Sequence, residues 1–415
     1  MRLFSKNDSI NRYDILIILI IASLAYGGHE ILRVLHPIRI IGMVALPFII
    51  VRMKMLLKSI FRPYVLFTLF WWCYMLLSIV WVPDKKNSII YLYHMTTMFS
   101  SIFLMIFCGS RAKTPLLSLV NGWTLFCLIT LPIAYWEITT GNHLSSGSFN
   151  AETNTTSHFR IFAAVTFANL NSFVLLLSIA LPFVCIGLFD DIKQSKAMKL
   201  LRWLVLVGIT LVLIINASRT GIICLVLSMG LLFVYQFKQN SIIKKVALVT
   251  LVLIALPYAL DSIFAIEGAQ QITSRLEGKS SIMEDNSRTM MIVEGLKVAS
   301  EYLFLGGGTA SMTYLYKSHN STGSLLYAHN LIIELLIEYG LVICMLFVFY
   351  YYKFLYKLRG IKMHAIQYLF FYILLASPFM FAVDDSYQWR TSIWMQMASI
   401  FMIIAADSVK NKKLL

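Results

Sequence analysis

Runs of apolar residues as long as a bilayer is thick recur along this chain and fix what it can fold into. Tyr64 to Val82 and Leu331 to Tyr352 are two of them, each matching the ~20 residues that cross a hydrocarbon core. No water is available there, so every backbone N–H and C=O must find a partner within the protein, and repeated runs of this length specify helices. Only 13% of the 415 residues are charged, about half the ~25% of an ordinary soluble domain. A soluble fold so poor in charge could not cover its own surface. The expected fold class is all-α, a polytopic integral membrane protein.

Twelve transmembrane helices are expected, near 13–28, 37–51, 64–82, 89–108, 115–136, 161–189, 200–217, 221–237, 245–260, 331–352, 366–383 and 391–406. The sixth run is long enough to be broken or tilted. With both termini in the cytoplasm, 23 of the 35 Lys and Arg fall in inner segments, among them Arg52, Lys54, Arg111, Lys113, Lys196, Lys199, Arg202, Lys353 and Lys357. That bias is the positive-inside pattern. It turns a net charge of +15, which in a soluble domain would suggest nucleic acid, into a set of orientation signals beside anionic headgroups. No nucleic-acid partner is expected.

The chain then divides into helices 1–9 over 1–260, one large outer loop over 261–328, and helices 10–12 over 329–415. Within the loop, Ser287 to Leu303 carries Ile292, Leu296, Ala299 and Leu303 at helical spacing, with Ser287 as N-cap. An amphipathic helix is expected there, stopped by Gly306, Gly307 and Gly308. The Gly triplet reads first as a flexible break, with a close backbone approach to a ligand as the alternative. The six Cys lie in or beside apolar runs without a CxxC pair, which fits small buried hydrophobes better than a zinc site or disulfide framework. The first apolar run lacks a small-residue cleavage site, so no cleaved signal peptide is expected.

Several chemistries lack their motifs: there is no GxxxxGK[ST], HExxH or GxSxG. The densest outer acidic group is the pair Asp384–Asp385, so chemistry at the outer face is expected to be metal-independent. Arg and His gather instead at the outer ends of spans. Arg219 occupies the short turn Asn216-Ala-Ser-Arg-Thr-Gly221, Arg160 opens the sixth span, Arg288 opens the amphipathic helix, and His329-Asn330 opens the tenth span. A guanidinium fork matches phosphate bidentately and keeps its charge, so two or three of these could hold a diphosphate. The alternative for each is snorkelling to the headgroups. His329 has the chemistry of a general base near neutral pH, or of a helix-start residue beside an Asn N-cap. Glu334 and Glu338 follow Asn330 on one helix face; carboxylates at that depth need partners or a wet cavity, so a polar cavity opening outward is expected there.

His329-Asn330, nine residues, then Gly340 resembles the His-Asn-x9-Gly motif of the O-antigen ligase and O-antigen polymerase family. Ser218-Arg219-Thr-Gly221 at an outer span end, Arg288 heading a periplasmic helix, the Gly306–Gly308 break and the long loop before the motif are similar to that family too, best over about 200–355. Ile343 departs from the Gly, Thr or Tyr common at its place, which counts against a ligase more than against the family. Trp136-Glu-Ile-Thr-Thr-Gly-Asn-His-Leu144 resembles stretches of capsular and O-antigen repeat-unit polymerases.

The resemblance implies a periplasmic-face, metal-independent, inverting glycosyltransferase of the bacterial inner membrane, working without a cofactor. Its donor would be an undecaprenyl-diphosphate-linked glycan. A polymerase would use a second lipid-linked repeat unit as acceptor, and a ligase a sugar of the lipid A core; polymerase is the first reading. Arg219 and Arg288, with Arg160 third, would clamp the diphosphate, His329 would deprotonate the acceptor hydroxyl, and Asn330, Glu334 and Glu338 would support it. Membrane lipids, a flippase and a chain-length regulator are the partners such a system implies. A secondary transporter is the alternative of another class, though the division of nine spans from three fits repeated halves poorly.

Overall fold

A computed structural model describes residues 10–27, 36–144, 162–167, 170–189, 194–216, 219–239, 281–302, 305–319, 330–359, 361 and 391–410. Every regular element among them is helical: α1 (Arg12–Ala22, continued by a 3₁₀ turn at Ser23–Tyr26), α2 (Pro37–Leu57), α3 (Arg62–Ser78), α4 (Lys85–Arg111), α5 (Pro115–Thr140), α6 (Leu170–Ile186), α7 (Lys196–Ile215), α8 (Arg219–Gln239), α9 (Ser281–Glu301), α10 (Met312–His319), α11 (Leu331–Arg359) and α12 (Thr391–Lys410). Five of these, α2, α4, α5, α7 and α11, are long and apolar enough to cross a membrane, and α6, α8 and α12 carry shorter apolar stretches. The chain is an all-α, multi-pass membrane protein. The runs at 245–260 and 366–383 lie outside the described residues.

Local chemistry sets the helix boundaries. Proline, whose fixed φ suits a first turn, opens α2, α3 and α5. Asn11 and Asp14 form a reciprocal capping box at the start of α1. Asp84 accepts from the Asn87 N–H at 3.0 Å to cap α4, and Gly141, at φ 68°, closes α5 in the left-handed conformation. Asp14 also reaches across to the start of α5, where its carboxylate accepts from the N–H groups of Lys113 (3.1 Å) and Thr114 (2.9 Å) and from the Ser118 hydroxyl (2.7 Å).

α4 runs through the middle of the bundle, packed between α2 and α12. Association of helices in lipid depends on close packing, so small residues stand where backbones meet. A Cβ on Gly42 would lie 2.3 Å from the Thr97 carbonyl oxygen, and one on Gly109 would lie 2.4 Å from Met402 Cγ. Between α3, α4, α11 and α12 the core is aromatic: the buried Trp71 ring lies 5.3 Å from Tyr339, 5.6 Å from Phe99 and 6.0 Å from Trp394.

Tertiary contacts fix the direction of each helix. Asn11 donates to the Arg111 carbonyl, so α1 begins where α4 ends. Ser78, at the end of α3, and Ser88, at the start of α4, both bond Thr309. The segment that follows α9 therefore sits at the end of the bundle where α3 stops and α4 begins, the loop end. Alternation puts the far ends of α5 and α7 there too. The basic residues Arg52, Lys54, Arg111, Lys113, Lys196, Lys199, Lys353 and Lys357 all fall toward the opposite end. Arg202 departs from the expected orientation signal: it is fully buried and donates to the Gly187 carbonyl at 3.0 Å and the Asn121 amide oxygen at 2.6 Å.

One expectation is met and one changes. The sixth run is broken: regular helix covers only Leu170–Ile186, and residues 162–167 form a buried irregular segment before it. The loop helix starts at Ser281, six residues before Ser287, and its packed face is rotated from the expected one. Gly295, Val298 and Ala299 are buried while Leu296 is 43% exposed. A Cβ at Gly295 would lie 2.4 Å from Ile333 Cγ2, so contact with α11 is made through a small residue that lets the backbones approach, not through the large apolar ones.

Candidate functional site

α11 is two helices joined by a break. Gly340 has φ 76° and ψ 178°, a combination open in practice only to glycine. The first piece, Leu331–Tyr339, is therefore a half-helix about 14 Å long at ~1.5 Å per residue. Asn330 caps its start, its side-chain oxygen accepting from the N–H groups of Ile332 at 3.0 Å and Ile333 at 3.2 Å. The Asn-x9-Gly spacing thus has a physical meaning: a cap, nine helical residues and a break.

A break leaves carbonyls that an unbroken helix would pair with residues four further on. The Gly triplet answers that need. Gly307 N–H donates to the Ile337 carbonyl at 2.7 Å and Gly308 N–H to the Glu338 carbonyl at 2.9 Å. Only glycine can lie this close: a Cβ on Gly306 would come within 2.7 Å of both the Glu338 oxygen and the Gly340 nitrogen. The triplet is not the flexible break expected of it: its backbone lies close against the broken helix. The Tyr74 hydroxyl lies within hydrogen-bond reach of three carbonyls in the same knot, those of Leu305 (3.1 Å), Glu338 (3.3 Å) and Gly306 (3.4 Å). Thr309, fully buried, anchors the strap to Ser78 and Ser88.

α9 and the half-helix lie side by side and run the same way, because Gly295 meets Ile333 while Gly306 meets Glu338 and Gly340. Two turns before Gly295, residue 288 falls on the same stripe of α9, ~10 Å along the axis from Gly295 and so past the start of α11, which lies ~4 Å from Ile333. The structure thereby brings the backbone of Arg288 toward Asn330; the Arg288 side chain is outside what is described. His329 lies outside the described residues. Glu334 and Glu338 are both buried in protein, at 0% and 2% exposure. Their face is turned from lipid, as two carboxylates demand, but protein encloses them where a cavity open to solvent was expected. Tyr316 of α10 stands over this face and donates to the Met291 carbonyl at 2.6 Å. Burial, followed by the nearby carboxylates of Glu334 and Glu294, pushes its phenol pKa up.

A second knot lies at the loop end, near in sequence to Arg160 and Arg219. Arg219 begins α8; its backbone is described and its side chain is not. Three residues before it, Asn216 is fully buried at the end of α7 and makes two bonds with one residue. Its side-chain oxygen accepts from Ala163 N–H at 2.8 Å, and its amide donates to the Ala163 carbonyl at 2.9 Å. Ala163 lies three residues beyond Arg160; Arg160 itself is outside the described residues. Glu137, on the last turn of α5 and also fully buried, accepts from the Ala164 and Val165 N–H groups at 2.8 and 2.7 Å. Val165 has φ 57°, so this irregular segment is held where few side chains go unaided. Neither Glu137 nor Asn216 was singled out from sequence. The available signal was a carboxylate and an amide at the ends of apolar runs.

Fold and site together define a multi-pass helical membrane protein with polar machinery concentrated at one end. Residues 204–348, from within α7 to within α11, match the family model described as O-antigen ligase. That stretch contains Asn216, Arg219, Arg288, the Gly strap, His329, Asn330 and Gly340. No curated protein matches the chain.

Proposed function

We propose that this protein joins glycans at the periplasmic face of the bacterial inner membrane, with both termini cytoplasmic, using an undecaprenyl-diphosphate-linked glycan as donor and a second lipid-linked repeat unit as acceptor. The observation that carries this reading is the family domain, with its motif folded as a capped half-helix ending at Gly340. Arg219 and Arg288, with Arg160, bind the donor diphosphate. His329 takes the proton of the acceptor hydroxyl as its oxygen attacks the anomeric carbon. The bond from that carbon to the diphosphate oxygen breaks with inversion, and the lipid diphosphate leaves with the electron pair. Fixed positive charge aimed at the developing negative charge is the largest contribution a site of this kind can make, and it requires no metal.

The ligase reading, transfer to a sugar of the lipid A core, is favoured by the description of the matched family. Trp136–Leu144 favours the polymerase. Purified protein supplied with a lipid-diphosphate glycan, with or without lipid A core, separates them. A ladder of lengthening lipid-linked products is expected; a single core-linked product would establish the ligase. Movement of substrate across liposomes with no new glycosidic bond would overturn both readings in favour of a transporter.

A further inference from the structure

The half of the bundle away from the loop end carries a groove that the transferase reading does not use. It lies between α3 and α11 and has a volume of about 600 Å³, within the range of small-molecule sites. Residue spacing explains its shape. Arg62, Leu66 and Phe70 follow one another at i+4 along α3, and Leu346 and Tyr350 at i+4 along α11, so each helix contributes one continuous stripe. Phe67, which is buried, stacks on Tyr350 with 5.4 Å between ring centroids and 28° between planes, and closes the floor. Leu66 and Phe70 are 47% and 50% exposed. In a bundle that crosses a membrane, half-exposed Leu and Phe side chains face hydrocarbon, so the groove opens sideways to lipid.

Cations gather at one end of it. Phe61 and Phe354 stack with 5.4 Å between centroids, which sets the start of α3 level with the last turns of α11. Arg62 and Lys353, each next in sequence to one of that pair, therefore stand at one depth. The Lys353 ammonium lies 5.2 Å from the Phe349 ring centroid and 6.0 Å from that of Tyr350, and the Lys357 ammonium 5.3 Å from that of Phe354. Aromatic faces at this range hold an ammonium in place. No Asp or Glu occurs in residues 62–83 or 341–360, and among the described residues none of the three cations is ion-paired with a carboxylate. An orientation signal needs charge alone, whereas these charges stand at the mouth of an apolar trough. The arginine fork matches phosphate, and positive charge at headgroup depth above an apolar channel complements a lipid with an anionic head.

We propose that this groove binds one anionic glycerophospholipid of the leaflet away from the loop. Its phosphate sits between Arg62 and Lys353, with Lys357 behind them, and the first part of an acyl chain lies along Leu66, Phe67 and Leu346. The lipid-linked donor is a different ligand: Lys353 lies thirteen residues beyond Gly340, ~20 Å along the helix, so a diphosphate held near His329 cannot reach these cations. The site is independent of the transferase reading.

Native mass spectrometry tests it on the full-length protein, stripped of lipid in detergent and titrated with phosphatidylglycerol or, separately, with phosphatidylcholine of the same chains. One phosphatidylglycerol is expected to bind at a concentration about tenfold or more below that needed for phosphatidylcholine, as two nearby cations allow. Arg62→Gln with Lys353→Gln is expected to abolish that preference. Lys196→Gln with Lys199→Gln on α7, an equal loss of charge at the same end of the bundle, is expected to keep it. Leu346→Trp fills the groove with both cations in place and is expected to weaken phosphatidylglycerol binding about tenfold. Equal binding of the two lipids, or a preference that survives Arg62→Gln with Lys353→Gln, overturns the proposal. So does a preference lost equally with the α7 pair, which would mean diffuse attraction to charge. Full binding by Leu346→Trp would mean that no chain enters the groove, and overturns it too. Undecaprenyl phosphate that displaces phosphatidylglycerol at equal concentration would assign the groove to an isoprenoid lipid instead. None of these outcomes depends on glycosidic bond formation, so failure here and failure of the transferase reading are read separately.

Discussion

The two knots at the loop end solve the same problem by opposite means. Around Gly340, backbone meets backbone: the N–H groups of Gly307 and Gly308 satisfy the carbonyls that a broken helix exposes, with the Tyr74 hydroxyl beside them. Around Ala163, side chain meets backbone: Glu137 and Asn216 satisfy a segment that has no helix to bond with. A backbone knot tolerates no Cβ, while a side-chain knot tolerates none of its acceptors being lost. The first makes a rigid seat for the half-helix behind His329, and the second anchors the chain that leads to two arginines.

The comparison can be broken most forcefully at the strap. Gly306→Val adds a Cβ 2.7 Å from two backbone atoms at φ 94°, and is expected to cost at least ~3 kcal/mol from strain and overlap together. Thermal unfolding in detergent would register it, and a wild-type Tm would mean that the strap does not seat on the break. Glu137→Ala, which strands two buried N–H groups, is expected to cost about 2–6 kcal/mol at 1–3 per group; Glu137→Gln should recover most of it. If the Ala and Gln variants unfold alike, the side chain's charge and not its acceptor oxygen is what matters, and the contrast between the knots fails. Gly340→Ala comes next, at about 1–3 kcal/mol for a side chain in a glycine-only region. Asn330→Ala should cost ~1 kcal/mol for a lost N-cap, and Tyr74→Phe least, about 0.5–1 kcal/mol for long hydrogen bonds.

The same contrast explains what sequence could disclose. The strap was legible only in part: three consecutive glycines mark a place that lacks Cβ atoms, but glycine permits many conformations, and a flexible break was the first reading. Asn330 was legible as a cap because that requirement is written in residue type. Glu137 and Asn216 were not, because nothing in a lone carboxylate or amide names a partner tens of residues away. The rotated face of α9 escaped too, since counting large apolar residues favoured Leu296 when the packing was made by Gly295. Arg202 was read as an orientation signal because burial through neutral acceptors leaves no mark in a charge count. The helical, multi-pass architecture followed from run length alone, and the break in the sixth run from its excess length.

The central claim is that a lipid-diphosphate glycan is the donor and His329 the base that activates the acceptor. It is tested most directly by placing purified protein in liposomes with such a donor, in the presence of EDTA, and measuring new glycosidic bonds together with free lipid diphosphate. Wild-type protein is expected to form both in equal amounts, and His329→Ala to lose about 10²–10⁴-fold in turnover while still binding the donor. Absence of bond formation by the wild type, or wild-type turnover by His329→Ala, would contradict it.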